Sequence, residues 1–165
     1  MKIGFIGLGN VGAKLAGSLV RNGFQVQVHD LSPEAMAPLL AAGAVAATSL
    51  PDMAAQCDVV ITCLPNPAAS AAVVEGDAGL LTGMTPGTIW AEMSTTDVEE
   101  VRRLGAQVTA AGGHAVDCPV SGGCHRAATG NIAIFAGCER AVFDELLPVL
   151  SAMGRQLLHT GPLGS

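Results

Sequence analysis

Met1-Lys-Ile-Gly-Phe-Ile-Gly7-Leu-Gly9-Asn-Val-Gly12 opens the chain and decides the fold that the rest of the sequence builds. Within it, Lys2 to Ile6 is a short β-branched and aromatic run, which predicts a buried strand. The following stretch, Ala13 to Val20, carries apolar residues at helical spacing. Three glycines spaced G-x-G-x-x-G therefore stand where a strand turns into a helix.

Each glycine has a separate physical role in such a unit. The first makes a tight turn, the second lets a pyrophosphate approach the backbone, and the third lets the helix lie close to the strand. The helix N-terminus offers free N–H groups and a partial positive charge to the phosphates. The residues of this segment predicted to contact a cofactor are Gly7, Leu8, Gly9, Asn10, Val11 and Gly12.

A second element turns this weak pattern into a specific one. Phe24 to Asp30 alternates like a strand and ends on an acid 18 residues after Gly12, where a carboxylate can bind a ribose 2′-hydroxyl. No arginine follows directly, since the next residues are Leu31 and Ser32. The glycines alone could be an ordinary turn, but both halves together predict a dinucleotide site that prefers NAD to NADP.

Composition and charge limit the classes of protein to which the chain can belong. The 165 residues are half hydrophobic, which suits one globular domain, and the net charge of −6 argues against nucleic acid as a partner. No run reaches transmembrane length, so no membrane partner is expected. An odd number of cysteines without a Cys-x-x-Cys pair predicts reduced thiols in a cytoplasmic protein.

Alternation of strands and helices along the chain predicts a Rossmann-type α/β fold with a doubly wound, mainly parallel sheet. Thr96-x-x-Glu99 predicts a capping box for a helix that runs to Ala111. His114 to Val120 is predicted to be one strand, with Pro119 forcing the chain out of the sheet. Ser121-Gly122-Gly123 is then predicted to be a turn at the carboxyl end of that strand.

Four short signatures in one order carry a family resemblance: Gly7-Leu-Gly-Asn-Val-Gly12, Leu64-Pro-Asn66, Ser94-Thr95 and Asp117-Cys-Pro-Val-Ser-Gly-Gly123. Together they resemble the β-hydroxyacid dehydrogenase family, which includes 3-hydroxyisobutyrate dehydrogenase and tartronate semialdehyde reductase. The resemblance covers the whole chain, and the Asp-x-Pro-Val-Ser-Gly-Gly stretch is its specific part.

For the cofactor, the resemblance implies that Leu64, Pro65 and Asn66 border the adenosine and the nicotinamide ribose, and that Thr95 lies near the nicotinamide. Each has a plainer interpretation, because Leu64-Pro65 could simply end a strand and Thr95 could simply belong to a helix cap. Their common order favours the functional interpretation.

For the substrate, the resemblance implies that Ser121, Gly122 and Gly123 bind a carboxylate through a hydroxyl and backbone N–H groups. Ser121 could equally just begin a turn. The chain departs from the family after this point, since Cys124-His125-Arg126 stand where small residues are common. These residues are expected either to be exposed without a functional role or to influence substrate specificity. Arg126 would add positive charge to the site if it folded back over the turn.

The reaction implied is hydride transfer between a nicotinamide and the hydroxyl carbon of a small 3-hydroxyacid, or reduction of the matching semialdehyde. The family moves the accompanying proton with a lysine on a later helix. This chain has only Lys2 and Lys14, both before Ser121, so no catalytic residue is predicted within it.

Domain boundaries follow from the same resemblance. Residues 1–160 are predicted to form the dinucleotide-binding domain, and Gly161–Ser165 resembles the start of the interdomain segment before that lysine. The family's C-terminal all-helical domain would then be absent from the chain. A homo-oligomer is expected when that domain is present.

Other functions remain as alternatives to be weighed. A non-catalytic dinucleotide-binding module or an imine reductase-like relative would share the cofactor half. A serine hydrolase is disfavoured because Pro119 occupies the first glycine position of G-x-S-x-G, and no P-loop occurs. A metal site built from Asp117, Cys118, Cys124 and His125 matches no known ligand spacing, so no metal is predicted.

Overall fold

The computed structural model describes all 165 residues, Met1–Ser165, as nine strands and seven α-helices. The strands are β1 Lys2–Ile6, β2 Gln25–His29, β3 Val45–Ala46, β4 Val59–Thr62, β5 Ile89–Glu92, β6 His114–Asp117, β7 Val120–Ser121, β8 Ile132–Gly137 and β9 Gly154–Gly161. The helices are α1 Gly12–Arg21, α2 Pro33–Ala41, α3 Leu50–Gln56, α4 Pro67–Glu75, α5 Val98–Ala110, α6 Gly123–Ala128 and α7 Arg140–Met153.

One twisted sheet holds all the strands, and its order explains where a ligand can bind. Strands β3, β2, β1, β4, β5 and β6 are neighbours in that order and all run parallel. The chain moves outward from β1 to β3 on one side and then returns to build β4 to β6 on the other. The carboxyl ends of β1 and β4 therefore flank a topological switch point, the usual ligand crevice of such sheets.

Helices cover both faces of the sheet, as a doubly wound fold requires. In β4, the side chains of Val59 and Ile61 belong to a core of 28 buried residues shared with α1, α2, α6 and α7. Val60 points the other way, into a second core of 11 buried residues shared with α3, α4 and α5. The predicted Rossmann-type α/β class with a mainly parallel sheet is confirmed. None of the helices combines the length and apolarity needed to cross a membrane.

The cap of α5 corrects one prediction. Thr96 does not cap this helix; the N-cap is Asp97, whose carboxylate accepts hydrogen bonds from the N–H groups of Glu99 at 2.9 Å and Glu100 at 3.4 Å. A carboxylate is as good a cap as a hydroxyl and adds charge at the positive end of the helix. The predicted start was therefore one residue early.

The segment after β6 corrects two more predictions. The predicted strand His114–Val120 is interrupted, but the chain does not leave the sheet, because β7 pairs antiparallel with β8. Pro119 cannot donate to the ladder, yet its carbonyl accepts a hydrogen bond from the Phe135 N–H at 3.0 Å. Ser121 thus ends a strand, and Gly123 begins the short helix α6 instead of completing a turn.

The last five residues pack against the domain. Leu163 lies on Gly105 of α5, and the Arg102 guanidinium donates to the carbonyls of Leu163 and Gly164, each at 3.4 Å. Strand β9 extends to Gly161, one residue past the predicted domain boundary at residue 160.

Replacing Asp97 tests the revised cap. Asp97→Ala is expected to lower the free energy of unfolding by about 1 kcal/mol, because two N–H groups of α5 lose their acceptor. The matched control Thr96→Ala is expected to change it by less than about 0.5 kcal/mol. Urea denaturation of both variants measures the two free energies of unfolding. A larger loss of stability in Thr96→Ala would instead support Thr96 as the cap of α5.

Candidate functional site

A cavity of about 750 Å³ opens at the carboxyl ends of β1, β2 and β4, at the switch point of the sheet. Its walls are mainly apolar. Its lining residues are Ile6, Gly7, Gly9, Asn10, Val11, Gly12, His29, Asp30, Leu31, Leu50, Cys63, Leu64, Pro65, Ala69, Ala72 and Val73. Eight residues predicted from the sequence to contact a cofactor are thereby brought together: Gly7, Gly9, Asn10, Val11, Gly12, Asp30, Leu64 and Pro65.

The three glycines of the first loop are needed for different reasons. Gly7 has a φ of +95°, and a Cβ there would collide with the carbonyl oxygen of Cys63, the residue that follows β4. A Cβ on Gly12 would collide with the carbonyl oxygen of Gly7, so helix α1 can only start this close to β1 without a side chain. A Cβ on Gly9 would meet nothing within 4 Å. The first and third glycines therefore serve the packing, and the second keeps the cavity floor open.

Asp30 fixes the shape of this loop. One carboxylate oxygen accepts the Leu8 N–H at 2.7 Å, and the other accepts the Ser32 N–H at 2.8 Å. The carboxylate is thus held at the end of β2 and faces the cavity between two fixed backbone groups. Leu8 itself is buried and does not line the cavity; its contribution is this N–H donor.

A chain of hydrogen bonds connects the far side of the cavity to β5. The Leu64 N–H donates to the Ser94 hydroxyl at 2.7 Å, and the Ser94 N–H donates to a carboxylate oxygen of Glu92 at 2.9 Å. Glu92 is only 1% exposed, and its second carboxylate oxygen has no partner within the chain. Glu92 therefore positions Ser94, which positions the Leu64-Pro65 wall.

Burial of these strand ends raises the pKa of neighbouring groups. Burial, together with the Glu92 carboxylate, raises the pKa of the Cys63 thiol to about 11. The same two causes raise the pKa of Asp117, which pairs in register with Glu92 on the next strand. Cys63 is therefore a protonated, inert thiol at neutral pH, although it lines the cavity.

An apolar wall completes the cavity, and sequence reasoning missed it. Ala69, Ala72 and Val73 lie at i, i+3 and i+4 on one face of α4 and face the end of β2 across the opening. Leu50 and Leu31 add to it, although the Leu31 side chain is 96% exposed. The helical spacing on α4 was the available signal, but only the sheet order shows which cavity that face lines.

Two residues predicted by resemblance lie outside this cavity. The Asn66 side chain caps α4, since its oxygen accepts the Ala69 N–H at 2.9 Å. Thr95 is exposed, in the loop that follows β5. Both lie just beyond the carboxyl ends of parallel strands, which is the same edge of the sheet as the cavity.

The predicted substrate-binding segment lies beyond the carboxyl end of β6. Ser121 is exposed at the end of β7, and its hydroxyl has no hydrogen-bond partner within the chain. Gly122 has a φ of +135° and forms the N-cap of α6, which starts at Gly123. The Arg126 side chain folds back across Gly122, as a Cβ there would lie 2.9 Å from the Arg126 Cδ.

Two further features bear on ligand binding. A second cleft, of about 690 Å³, opens at the amino edge around Lys2, Phe24 and Asp58, but its lining is mostly polar and ligands of α/β sheets bind at the carboxyl edge. No group of three or more His, Cys, Asp and Glu side chains converges anywhere, and all five cysteines are free.

Comparison with known proteins agrees with this arrangement. Residues 2–161 match a sequence family described as the NAD binding domain of 6-phosphogluconate dehydrogenase. The chain is 35% identical over 165 residues to 2-(hydroxymethyl)glutarate dehydrogenase of Eubacterium barkeri, covering 100% of this chain and 55% of that protein. It is 38% identical over 164 residues to NAD-dependent L-serine dehydrogenase of Pseudomonas aeruginosa, covering 99% of this chain and 55% of that protein.

A solved structure shows the same fold. The 3-hydroxyisobutyrate dehydrogenase of Mycobacterium tuberculosis, determined with L-serine, superposes with a TM-score of 0.91 at 33% identity. The match covers 99% of this chain and 55% of that one. The chain thus spans about half the length of the relatives it matches.

The different structural roles of Gly7 and Gly9 can be tested by measuring the stability of alanine variants. Gly7→Ala is expected to lower the free energy of unfolding by at least about 2 kcal/mol, because it adds backbone strain to a collision with the Cys63 carbonyl. Gly9→Ala, the matched control, is expected to stay within about 1 kcal/mol of the parent. Equal losses in urea denaturation would contradict the geometry described for the loop.

Proposed function

The chain belongs to the family of NAD-binding domains represented by that of 6-phosphogluconate dehydrogenase, and on this premise we propose that it is the cofactor-binding part of an NAD-dependent oxidoreductase. The enzyme would transfer a hydride between the nicotinamide and the hydroxyl carbon of a small 3-hydroxyacid, or reduce the matching semialdehyde. The observation that supports this proposal best is the cavity at the switch point. It combines an unobstructed backbone at Gly9, the hydrogen-bonded carboxylate of Asp30 and an apolar wall on α4.

Each wall of the cavity suits one part of a dinucleotide. The open backbone at Gly9, before the N-terminus of α1, suits the pyrophosphate, which needs close approach and N–H donors. Asp30 keeps acceptor lone pairs beside its two N–H contacts and suits the ribose hydroxyls. Leu31, Leu50 and the apolar face of α4 suit the adenine, a flat ring with little polarity on its faces.

The nicotinamide half is assigned to the adjacent strand ends. Leu64, Pro65 and Asn66 would border its ribose, held in place by the Ser94 hydroxyl, and exposed Thr95 would lie beside the ring. When bound, this cofactor supplies the hydride chemistry, and the protein supplies orientation.

The substrate end is assigned to Ser121, Gly122 and Gly123. Ser121 offers a free hydroxyl, and the two glycines have no side chains to keep a carboxylate from their N–H groups. The relatives described above are named as dehydrogenases of small hydroxyacids: a hydroxymethyl-substituted glutarate, L-serine and 3-hydroxyisobutyrate. A small hydroxyacid is therefore the substrate class we assign.

The proposal includes the wider organisation of the protein. Residues 1–160 form the dinucleotide-binding domain, and Gly161–Ser165 lead into a second domain that carries the catalytic lysine and the contacts of a homo-oligomer. Neither Lys2 nor Lys14 follows Ser121, so the proposal assigns no catalytic lysine to the 165 residues. Five free cysteines, three of them buried, suit a cytoplasmic setting.

Cofactor preference is the first test. NAD is expected to bind about tenfold to hundredfold more tightly than NADP, because the fixed Asp30 carboxylate repels a 2′-phosphate at a cost of about 1–3 kcal/mol. Asp30→Asn removes the charge and is expected to narrow this ratio. Calorimetric titration of both dinucleotides measures it, and equal affinities in the parent chain would refute the preference.

Turnover by the 165-residue chain is the second test. The chain is expected to bind NAD without oxidising 3-hydroxyisobutyrate, because general acid–base catalysis, typically about 10²–10⁴-fold, comes from outside it. Absorbance at 340 nm follows the reaction. Substantial turnover would place the catalytic group within these residues, whereas inactivity of the full-length protein as well would favour a non-catalytic dinucleotide-binding module.

Ser121 provides the third test, in the full-length protein. Ser121→Ala is expected to raise KM for the hydroxyacid about 5- to 30-fold, which corresponds to about 1–2 kcal/mol for one hydrogen bond to a charged acceptor. Dinucleotide affinity should not change. Weaker NAD binding with an unchanged KM would instead assign Ser121 to the cofactor pocket.

A further inference from the structure

Arg126 is a cation without a partner, fixed beside the proposed substrate segment. Its guanidinium makes no ion pair or hydrogen bond within the chain, and the residue is exposed. Most other arginines are engaged: Arg21, Arg102, Arg103 and Arg140 each donate to a protein oxygen. The donors of Arg126, like those of exposed Arg155, are therefore available to a group from outside the chain.

The position of this side chain is set by its surroundings. The Arg126 stem packs across Gly122, where a Cβ would lie 2.9 Å from its Cδ and 3.3 Å from its Cβ. Side chains on a helix lean toward its N-terminus, so the fourth residue of α6 naturally covers the first turn. The Arg126 carbonyl is also anchored, because it accepts the Asn131 N–H at 2.8 Å.

Helix α6 is in turn hydrogen-bonded to helix α1, whose N-terminus borders the proposed cofactor site. The Arg21 guanidinium of α1 donates to the Ala128 carbonyl at 2.9 Å, and the Ser18 hydroxyl donates to the Ala127 carbonyl at 3.4 Å. Arg126 thus belongs to an element whose position is fixed by the helix that starts at Gly12.

We propose that Arg126 is a specificity-determining residue that binds a second carboxylate, so that the preferred substrates are small hydroxyacids with two carboxylates. This assignment rests on the proposed function, in which Ser121 and Gly122 hold the first carboxylate. The planar guanidinium fork matches a carboxylate in a bidentate way. It also offsets the repulsion that a chain of net charge −6 exerts on a dianion.

Two matched acids test the proposal in the full-length protein. The first is 3-hydroxyisobutyrate, and the second is 2-(hydroxymethyl)succinate, which is the first acid with a carboxylate added to its methyl group. Arg126→Ala is expected to raise KM for the dicarboxylate about 10- to 100-fold and for the monocarboxylate less than about twofold. Arg126→Lys, which keeps the charge, is expected to recover part of the loss.

Lys2→Gln is the control, since it removes one positive charge at the amino edge of the sheet, away from Ser121. It should change neither KM. An unchanged Kd for NAD shows that the Arg126→Ala protein is folded. Equal effects of Arg126→Ala on the two acids, or no effect on either, would overturn the proposal.

The same comparison separates this proposal from the proposed function. If the parent protein fails to bind NAD, the proposed function is wrong. Calorimetric titration of the two acids into the parent and the Arg126→Ala protein, with and without NAD, then still decides the role of Arg126. Selective loss of dicarboxylate binding supports that role, and its persistence without Arg126 contradicts it.

Discussion

The close approach of β1, β4 and α1 is the constraint on which the rest of the structure depends. Gly7 turns the chain where a Cβ would collide with the carbonyl of Cys63, just after β4, and Gly12 starts the helix where a Cβ would collide with the carbonyl of Gly7. Side chains at either position would push the helix away from the sheet. Because both are glycines, the N-terminus of α1 comes to lie at the switch point, and the cavity forms there.

The loop so formed is held from both sides. Asp30 at the end of β2 accepts the Leu8 N–H, and the chain from Glu92 through Ser94 to Leu64 fixes the opposite wall. A carboxylate with one unpartnered buried oxygen, as at Glu92, is costly to keep in a protein interior. Its backbone contact to Ser94 offsets part of that cost and connects β5 to the β4 end of the cavity.

Local patterns predicted the elements well where one signal dominated. The strand Lys2–Ile6 follows from a short run of adjacent residues, as predicted. The helix predicted over Ala13 to Val20 is likewise present, as Gly12–Arg21. At Ser94-Thr95-Thr96-Asp97, four adjacent residues can each cap a helix, so only the path of the loop selects Asp97.

What could not be predicted depends on contacts far apart in sequence. The helix α6 has six residues and begins at the second of two adjacent glycines, so its helix propensity is weak. Its anchors on α1 come from more than 100 residues earlier in the chain. Strand β7 forms next to Pro119 although proline has no N–H to donate, because the Pro119 carbonyl still accepts a hydrogen bond from β8. The α4 wall of the cavity likewise becomes visible only once β2 and β4 are placed on either side of β1.

Amide chemical shifts on titration with NAD test the central claim most directly. If the cavity at the switch point is the dinucleotide site, the backbone amides of Gly9, Asn10 and Val11 should shift most, followed by those of Leu31 and Val73. Amides at the opposite edge, such as Asn22 and Gln25, should stay in place. Shifts concentrated at that amino edge, or none at saturating NAD, would contradict the account.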